Sequence, residues 1–189
     1  MIRTTTSNRR GCARVSTDRG VVVDASAALA LVVGEPEGAT VRRLLVQWSK
    51  ERRFVSVTSY FWLELVNALV RRRKWSSSDV LEAIHRLDSY QLQTVEQDRA
   101  LVILALDLAE RHDLTAYDAA YLALAIRLDA RLLTLDRRLA SAARERAIRI
   151  GNERVSDVRA PYEHEVTWPN YRGASAYLAK LRAEAAHGG

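Results

Sequence analysis

A chain of 189 residues with 48% hydrophobic content is long enough for one domain that buries roughly 70% of the surface its unfolded form would expose, so neither a disulfide nor a structural metal is needed to hold it together. The single cysteine, Cys12, excludes an intrachain disulfide framework and fits a reducing, cytoplasmic setting; no run reaches the ~18 apolar residues of a membrane span, and the start of the chain lacks the apolar core of a signal peptide. The net charge of +6 says little about partners, because residues 1–20 hold five Arg against one Asp, residues 21–150 carry 19 basic against 17 acidic side chains, and residues 151–189 carry five of each.

Residues 1–19, rich in Arg, Ser and Thr, read as a disordered polar tail. Val21 to Val23 form a short β-branched run ending in Asp24, and Ser26 is placed to cap a helix through Val33. Val41, Leu44, Leu45 and Trp48 recur at helical spacing and predict a second helix over about 37–52. A strand over 54–57 follows, then a helix capped by Ser59 and running to about Arg73, then a loop at Ser76 to Ser78 with another helix starting near Asp79. Residues 93–95 are a weak strand. A helix over 98–111 carries Leu101, Leu104, Ala105 and Leu108 on one face, and Thr115 caps a helix over 116–128. Residues 131–133 read as a strand, Asp136 opens a helix to about Ala147, and Ile148 to Ile150 form a last strand. Strands alternating with helices throughout residues 20–150 predict an α/β fold with a central parallel sheet of four to five strands flanked by helices on both faces. Residues 151–189 form a C-terminal extension containing Trp168, Pro169 and Tyr171, with a helix expected over about 174–186.

The informative residues are polar ones where polarity is expensive. From Tyr60 to Val70 only Glu64 and Asn67 are strongly polar, in a helix otherwise apolar on nearly every side and therefore expected to be buried. A carboxylate there needs a cation, a hydrogen-bond network or a metal; a salt bridge from Glu64 to some Arg is an equally good reading of that residue alone. Asp118 is the only charged residue from Ala116 to Ile126, but in a first helical turn the helix dipole alone favours an acid. Asp24 ends an apolar strand and Asp136 precedes a helix, where turn and capping roles are common. Taken together, the four share the edge of a parallel sheet where strand ends and helix starts gather and ligands bind. Acids converging there without matching bases would repel one another unless a divalent cation sat among them; an all-oxygen site suits magnesium or manganese, and its chemistry suits phosphodiester cleavage.

The segments Val-Val-Val-Asp24-Ala-Ser26-Ala, Glu64-Leu-Val-Asn67-Ala-Leu, Tyr117-Asp118-Ala-Ala-Tyr-Leu-Ala-Leu-Ala and Leu133-Thr134-Leu-Asp136-Arg-Arg-Leu resemble, in order, the four motifs of PIN domains, and within that superfamily the chain is similar to VapC toxins. The resemblance covers about residues 20–150. It implies a magnesium- or manganese-dependent endoribonuclease, usually a homodimer, inhibited by a cognate VapB-like antitoxin. It implies further that Asp24, Glu64 and Asp118 are the core metal ligands, that Asp136 is a fourth acid acting at the metal directly or through water, and that Ser26, Asn67 and Thr134 are polar supports of that site. Both extensions exceed the minimal domain, and no function carries over to them.

Other signals are weaker. Arg71, Arg72, Arg73 and Lys74 end the Glu64 helix and could grip phosphates, though a helix C-terminus favours cations in any case. His85, His112, His164 and His187 share no metal-ligand spacing. Trp48, Trp62 and Trp75 suit the core or a dimer interface, and Tyr60, Trp62 and Trp75 imply an apolar surface. A haloacid dehalogenase-type phosphatase would need a second Asp at position 26, which is Ser. A PIN nuclease of RNA processing or decay without an antitoxin has the same chemistry, and a catalytically silent PIN-like module would keep the fold; intact acids at all four motif positions argue against the latter.

Overall fold

The computed structural model describes residues 20–150; the expected tail, Cys12 and the C-terminal extension lie outside the described residues. In chain order the elements are β1 (Gly20–Val23), α1 (Ala25–Val33), α2 (Gly38–Lys50), β2 (Phe54–Thr58), α3 (Phe61–Asn67), a π-helical turn (Ala68–Arg72), α4 (Ser77–Asp88), β3 (Gln93–Val95), α5 (Arg99–His112), α6 (Ala116–Arg127), β4 (Arg131–Leu133), α7 (Arg137–Ala143), a 3-10 turn (Arg144–Arg146) and β5 (Ala147–Ile148).

The strands form one parallel sheet in the order β3-β2-β1-β4-β5. Side chains of successive strand residues point to opposite faces, so full burial of Val21, Val22 and Val23 means that both faces of the central strand are covered. Each such side chain contributes roughly 1.5–3 kcal/mol. Helix α6 packs against β1, β2 and β4, which explains why Ala119 to Ala125 are all buried and why so many of them are alanine or leucine. Helix α1 packs against α2, α3 and α4. Gly38 allows the closest of these approaches, since a Cβ there would stand 2.9 Å from the carbonyl carbon of Ala30 and overlap its oxygen.

Several local expectations are corrected. Asp24, not Ser26, takes the cap position of α1. Helix α3 starts at Phe61 rather than after Ser59, and the helix passes into a π turn at Ala68. It is not buried on every side, because Leu63 is 73% exposed and Val70 and Asn67 are exposed too. Leu104, by contrast, packs partly buried against the core on the face of α5 that carries Leu101, Ala105 and Leu108, as expected. Helix α7 stops at Ala143 and the last strand falls at Ala147–Ile148. Thr115 and Asp136 cap α6 and α7 as expected, while Ser76 caps α4, which starts at Ser77 rather than near Asp79, and Asp98 caps α5 rather than beginning it; each accepts from the backbone N–H three residues on.

Candidate active site

Strand order reverses at the β1–β4 boundary, the point where open parallel sheets bind ligands. Val23 is in register with Leu133, and Asp24 N–H donates to Leu133 O at 2.9 Å, so the ladder carries on one residue past the strands and sets Asp24 beside Thr134. Thr134 Oγ1 donates to Asp24 Oδ2 at 2.7 Å and Ser26 Oγ to the same oxygen at 2.5 Å. Each hydroxyl is anchored in turn, Thr134 Oγ1 accepting from Asp136 N at 3.0 Å and Ser26 Oγ from Leu135 N at 3.0 Å. Asp24 is only 4% exposed, and two oriented hydroxyls fix its carboxylate.

Asp136 reaches the site from the start of α7, where Oδ1 also caps Leu139 N at 2.8 Å. Asp118 lies in the first turn of α6 in a reciprocal pair: its N–H donates to Thr115 Oγ1 at 3.1 Å, and Thr115 Oγ1 donates to Asp118 Oδ2 at 2.7 Å. Capping therefore does not compete with a chemical role for these two acids, since each lines the cleft as well. Glu64, half-buried on α3, accepts the Tyr121 hydroxyl at 2.9 Å.

One cleft of about 290 Å³ is lined by Asp24, Ser26, Glu64, Asn67, Asp118 and Asp136 together with Arg72. All four acids singled out from sequence thus meet there. The alternative reading of Glu64, a salt bridge to an Arg, is not found: among the described residues none of the four acids makes an ion pair.

The electrostatics follow. Burial pushes the Asp24 carboxyl above the usual aspartate range against the hydrogen bonds from Ser26 and Thr134, and the charge on Asp118 adds to the rise. Burial also raises Glu64, helped by Asp24 and Asp118 and opposed by the Tyr121 hydroxyl and the Arg72 charge. Among the described residues no three His, Cys, Asp or Glu side chains are already grouped tightly enough to hold a metal ion. The donor set nevertheless fits one: every acid offers oxygen, the charge on Asp118 raises both Asp24 and Glu64, and no ion pair offsets their charge.

Sequence reasoning did not single out Tyr121, and it placed Tyr60 only on an apolar surface. Tyr121 is fully buried, and its hydroxyl is held in the neutral form chiefly by burial, with the Glu64 charge next. The signal was available, because Tyr121 lies three residues after Asp118 and shares its helix face. Tyr60 packs edge-on against Tyr117 and Tyr121 at centroid separations of 5.3 and 5.4 Å and donates to Tyr117 O at 2.6 Å. Arg72 was one of four consecutive bases; the structure separates them, sending Arg72 to the cleft and pairing Arg73 with Glu35.

This parallel sheet, with an acidic cleft at its switch point, is of the PIN type, and the chain belongs to the PIN-domain family, whose model matches residues 21–145. It is similar to the ribonuclease VapC3 of Pyrobaculum aerophilum, 34% identical over 125 residues that make up 64% of this chain and 92% of that protein. Among solved structures it resembles PAE2754 of Pyrobaculum aerophilum (TM-score 0.52, 25% identity, 68% of this chain and 82% of that one). It shares its fold with VapC20 of Mycobacterium tuberculosis, described as a sarcin-ricin loop cleaving toxin (TM-score 0.52, 20% identity, 65% of this chain and 94% of that one). The chain is thus a PIN-domain homologue of VapC ribonucleases. No helix among the described residues is long and apolar enough to cross a membrane.

Proposed function

We propose that this protein is a magnesium- or manganese-dependent endoribonuclease that hydrolyses RNA phosphodiester bonds and acts as the toxin of a toxin-antitoxin pair in the cytoplasm. The observation that carries the reading is the meeting of Asp24, Glu64, Asp118 and Asp136 in one cleft without an ion pair among them. Asp24, Glu64 and Asp118 would hold the metal, with Asp136 completing the acid set directly or through water. Bound there, a divalent cation supplies activation of water and stabilisation of charge on a phosphodiester. The chain's own part is positional. Ser26 and Thr134 fix Asp24, Tyr121 fixes Glu64, Thr115 fixes Asp118, Asn67 offers an amide at the mouth, and Arg72 is placed to meet a phosphate oxygen.

The toxin role and a VapB-like antitoxin rest on the likeness to a VapC ribonuclease. Such a partner would lay an apolar helix along a groove and send a basic side chain toward the carboxylates. A homodimer is part of the same reading, but the apolar surface is not where the sequence put it. Tyr60, Trp62 and Trp75 are partly buried, whereas Leu63, Val102, Ile103, Leu106 and Tyr117 are exposed. Light scattering at micromolar concentration tests the dimer, and co-expression with neighbouring genes tests the partner.

The decisive experiment maps cleavage sites across total cellular RNA after brief expression of wild type beside Asp24→Asn, with purified protein assayed in magnesium, manganese and excess chelator. Cleavage by wild type only, and only with metal, is expected; undiminished cleavage in chelator would sink the metal mechanism.

A further inference from the structure

The proposed cleft is a poor attractor for its own substrate. Four carboxylates face one arginine there, so a polyanion gains no long-range attraction from the cleft unless metal is bound, and its affinity has to come from another surface. A second cavity, of about 460 Å³, has the opposite character: His112, Arg137, Arg138, Ser141, Ala142 and Arg144 line it, with no acid among them.

Its position follows from the chain. Arg137 is the residue after Asp136 and opens α7, while His112 ends α5 only three residues before Thr115, the partner of Asp118. Both walls of the basic cavity therefore run directly into the segments that carry two of the cleft's acids. Helix α7 is seven residues long and spans about 10 Å, roughly the length of three stacked nucleotides at ~3.4 Å each. Arg138 is tethered, donating to the main-chain oxygen of Asp113 at 2.7 Å and pairing with its carboxylate. Among the described residues the side chains of Arg137 and Arg144 have no hydrogen bond or ion pair, which leaves two guanidinium forks available to phosphate oxygens.

We propose that Arg137, Arg138 and Arg144 form a binding site for the phosphodiester backbone of RNA flanking the bond in the carboxylate cleft. The proposal rests on the RNA-cleaving reading. The site grips phosphates and so adds affinity and strand direction without reading bases; sequence preference has to arise elsewhere.

The test compares wild type with Arg137→Gln/Arg144→Gln and with the charge-conserving Arg137→Lys/Arg144→Lys, both at exposed positions. Fluorescence anisotropy of a fluorescein-labelled single-stranded RNA is read in chelator across a salt series, and cleavage of the same RNA is followed with magnesium and manganese. The Gln pair is expected to weaken binding about tenfold or more and to reduce the slope of log K against log salt by about 1.4, at ~0.7 per lost phosphate contact. Its defect in cleavage should appear in KM, and the Lys pair should recover most of the salt slope. Binding with an unaltered salt slope in the Gln pair, while wild type still cleaves, overturns the backbone site and leaves the nuclease reading intact; the patch would then suit an acidic protein partner. A slope that falls as expected while wild type cleaves with neither metal supports the backbone site and removes the nuclease reading instead.

Discussion

The Tyr121 hydroxyl donates to Glu64 Oε2 at 2.9 Å, joining α6 to one of the acids that line the cleft from α3. The bond stabilises the charged form of a carboxyl that burial and two neighbouring acids disfavour. Tyr121→Phe keeps the ring and its edge contact with Tyr60 while removing the donor. Metal affinity, read by titration calorimetry, should fall about 10- to 100-fold, as it does when a residue that orients a metal ligand is lost, with thermal stability nearly kept. Unchanged metal affinity would show that Glu64 needs no orientation from Tyr121.

Asp24 gives a pH prediction. Its pKa is raised in the folded chain, mainly by burial, so a proton binds the folded form more tightly than the unfolded one. Its contribution to stability is fully present below the unfolded value and is lost as pH rises through the folded value. Glu64 shifts in the same direction; Asp98, lowered chiefly by the backbone N–H of Leu101, shifts oppositely and cancels when two variants are compared. Urea unfolding in chelator should therefore show Asp24→Asn gaining on wild type as pH rises from mildly acidic to neutral. A gap independent of pH would contradict the assignment of that titration to Asp24.

Much of this architecture is legible in the sequence, and the exceptions have physical causes. Val21 to Val23 and Arg131 to Leu133 are recognisable as strands because short apolar runs between turn residues have few alternatives in an alternating pattern. The four acids are legible because polar residues in apolar segments are costly. Helix ends are read less well where side chains have two uses: Ser26 looks like a cap but bonds the Asp24 carboxylate. The π turn at Ala68–Arg72 has no signature in residue type, and with it the separate fates of Arg72 and Arg73 stay hidden. The exposure of Leu63, Val102, Ile103 and Leu106 is not legible because apolar content alone does not tell a core-facing residue from a solvent-facing one.

Gly38 provides a stability test remote from the cleft. Alanine is ordinarily the better helix residue, by up to ~1 kcal/mol, but here its Cβ would press on the main chain of Ala30 and come within 3.0 Å of Leu31 Cα. Backbone cannot swing aside as a flexible side chain can, and such overpacking costs about 1–3 kcal/mol. Gly38→Ala should thus be destabilised by about 1 kcal/mol or more in denaturant unfolding, while the folded fraction keeps wild-type cleavage. A gain in stability would mean that α1 and α2 separate easily.

The last prediction concerns Asp118→Asn, which separates a chemical role from a structural one by sign. Asp118 is near enough to Asp24 and Glu64 for its charge to raise both carboxyls, yet it also sits in the first turn of α6 and accepts the Thr115 hydroxyl. Asparagine keeps the size, the backbone N–H that donates to Thr115 and an oxygen to accept from it, so the substitution removes chiefly one negative charge. Losing the favourable dipole interaction costs roughly 0.3–1 kcal/mol; relieving repulsion inside a partly buried acid cluster acts the other way. With three other acids at the cleft and no ion pair to compensate them, relief should at least match the loss. The metal-free variant should therefore be as stable as wild type or more so, bind magnesium or manganese more weakly, and fail to cleave RNA. If Asp118 served only the helix dipole, the metal-free protein would instead lose stability by that dipole amount while activity survived in the folded fraction. A stable Asp118→Asn protein with wild-type cleavage would overturn the site assignment on which the nuclease reading rests.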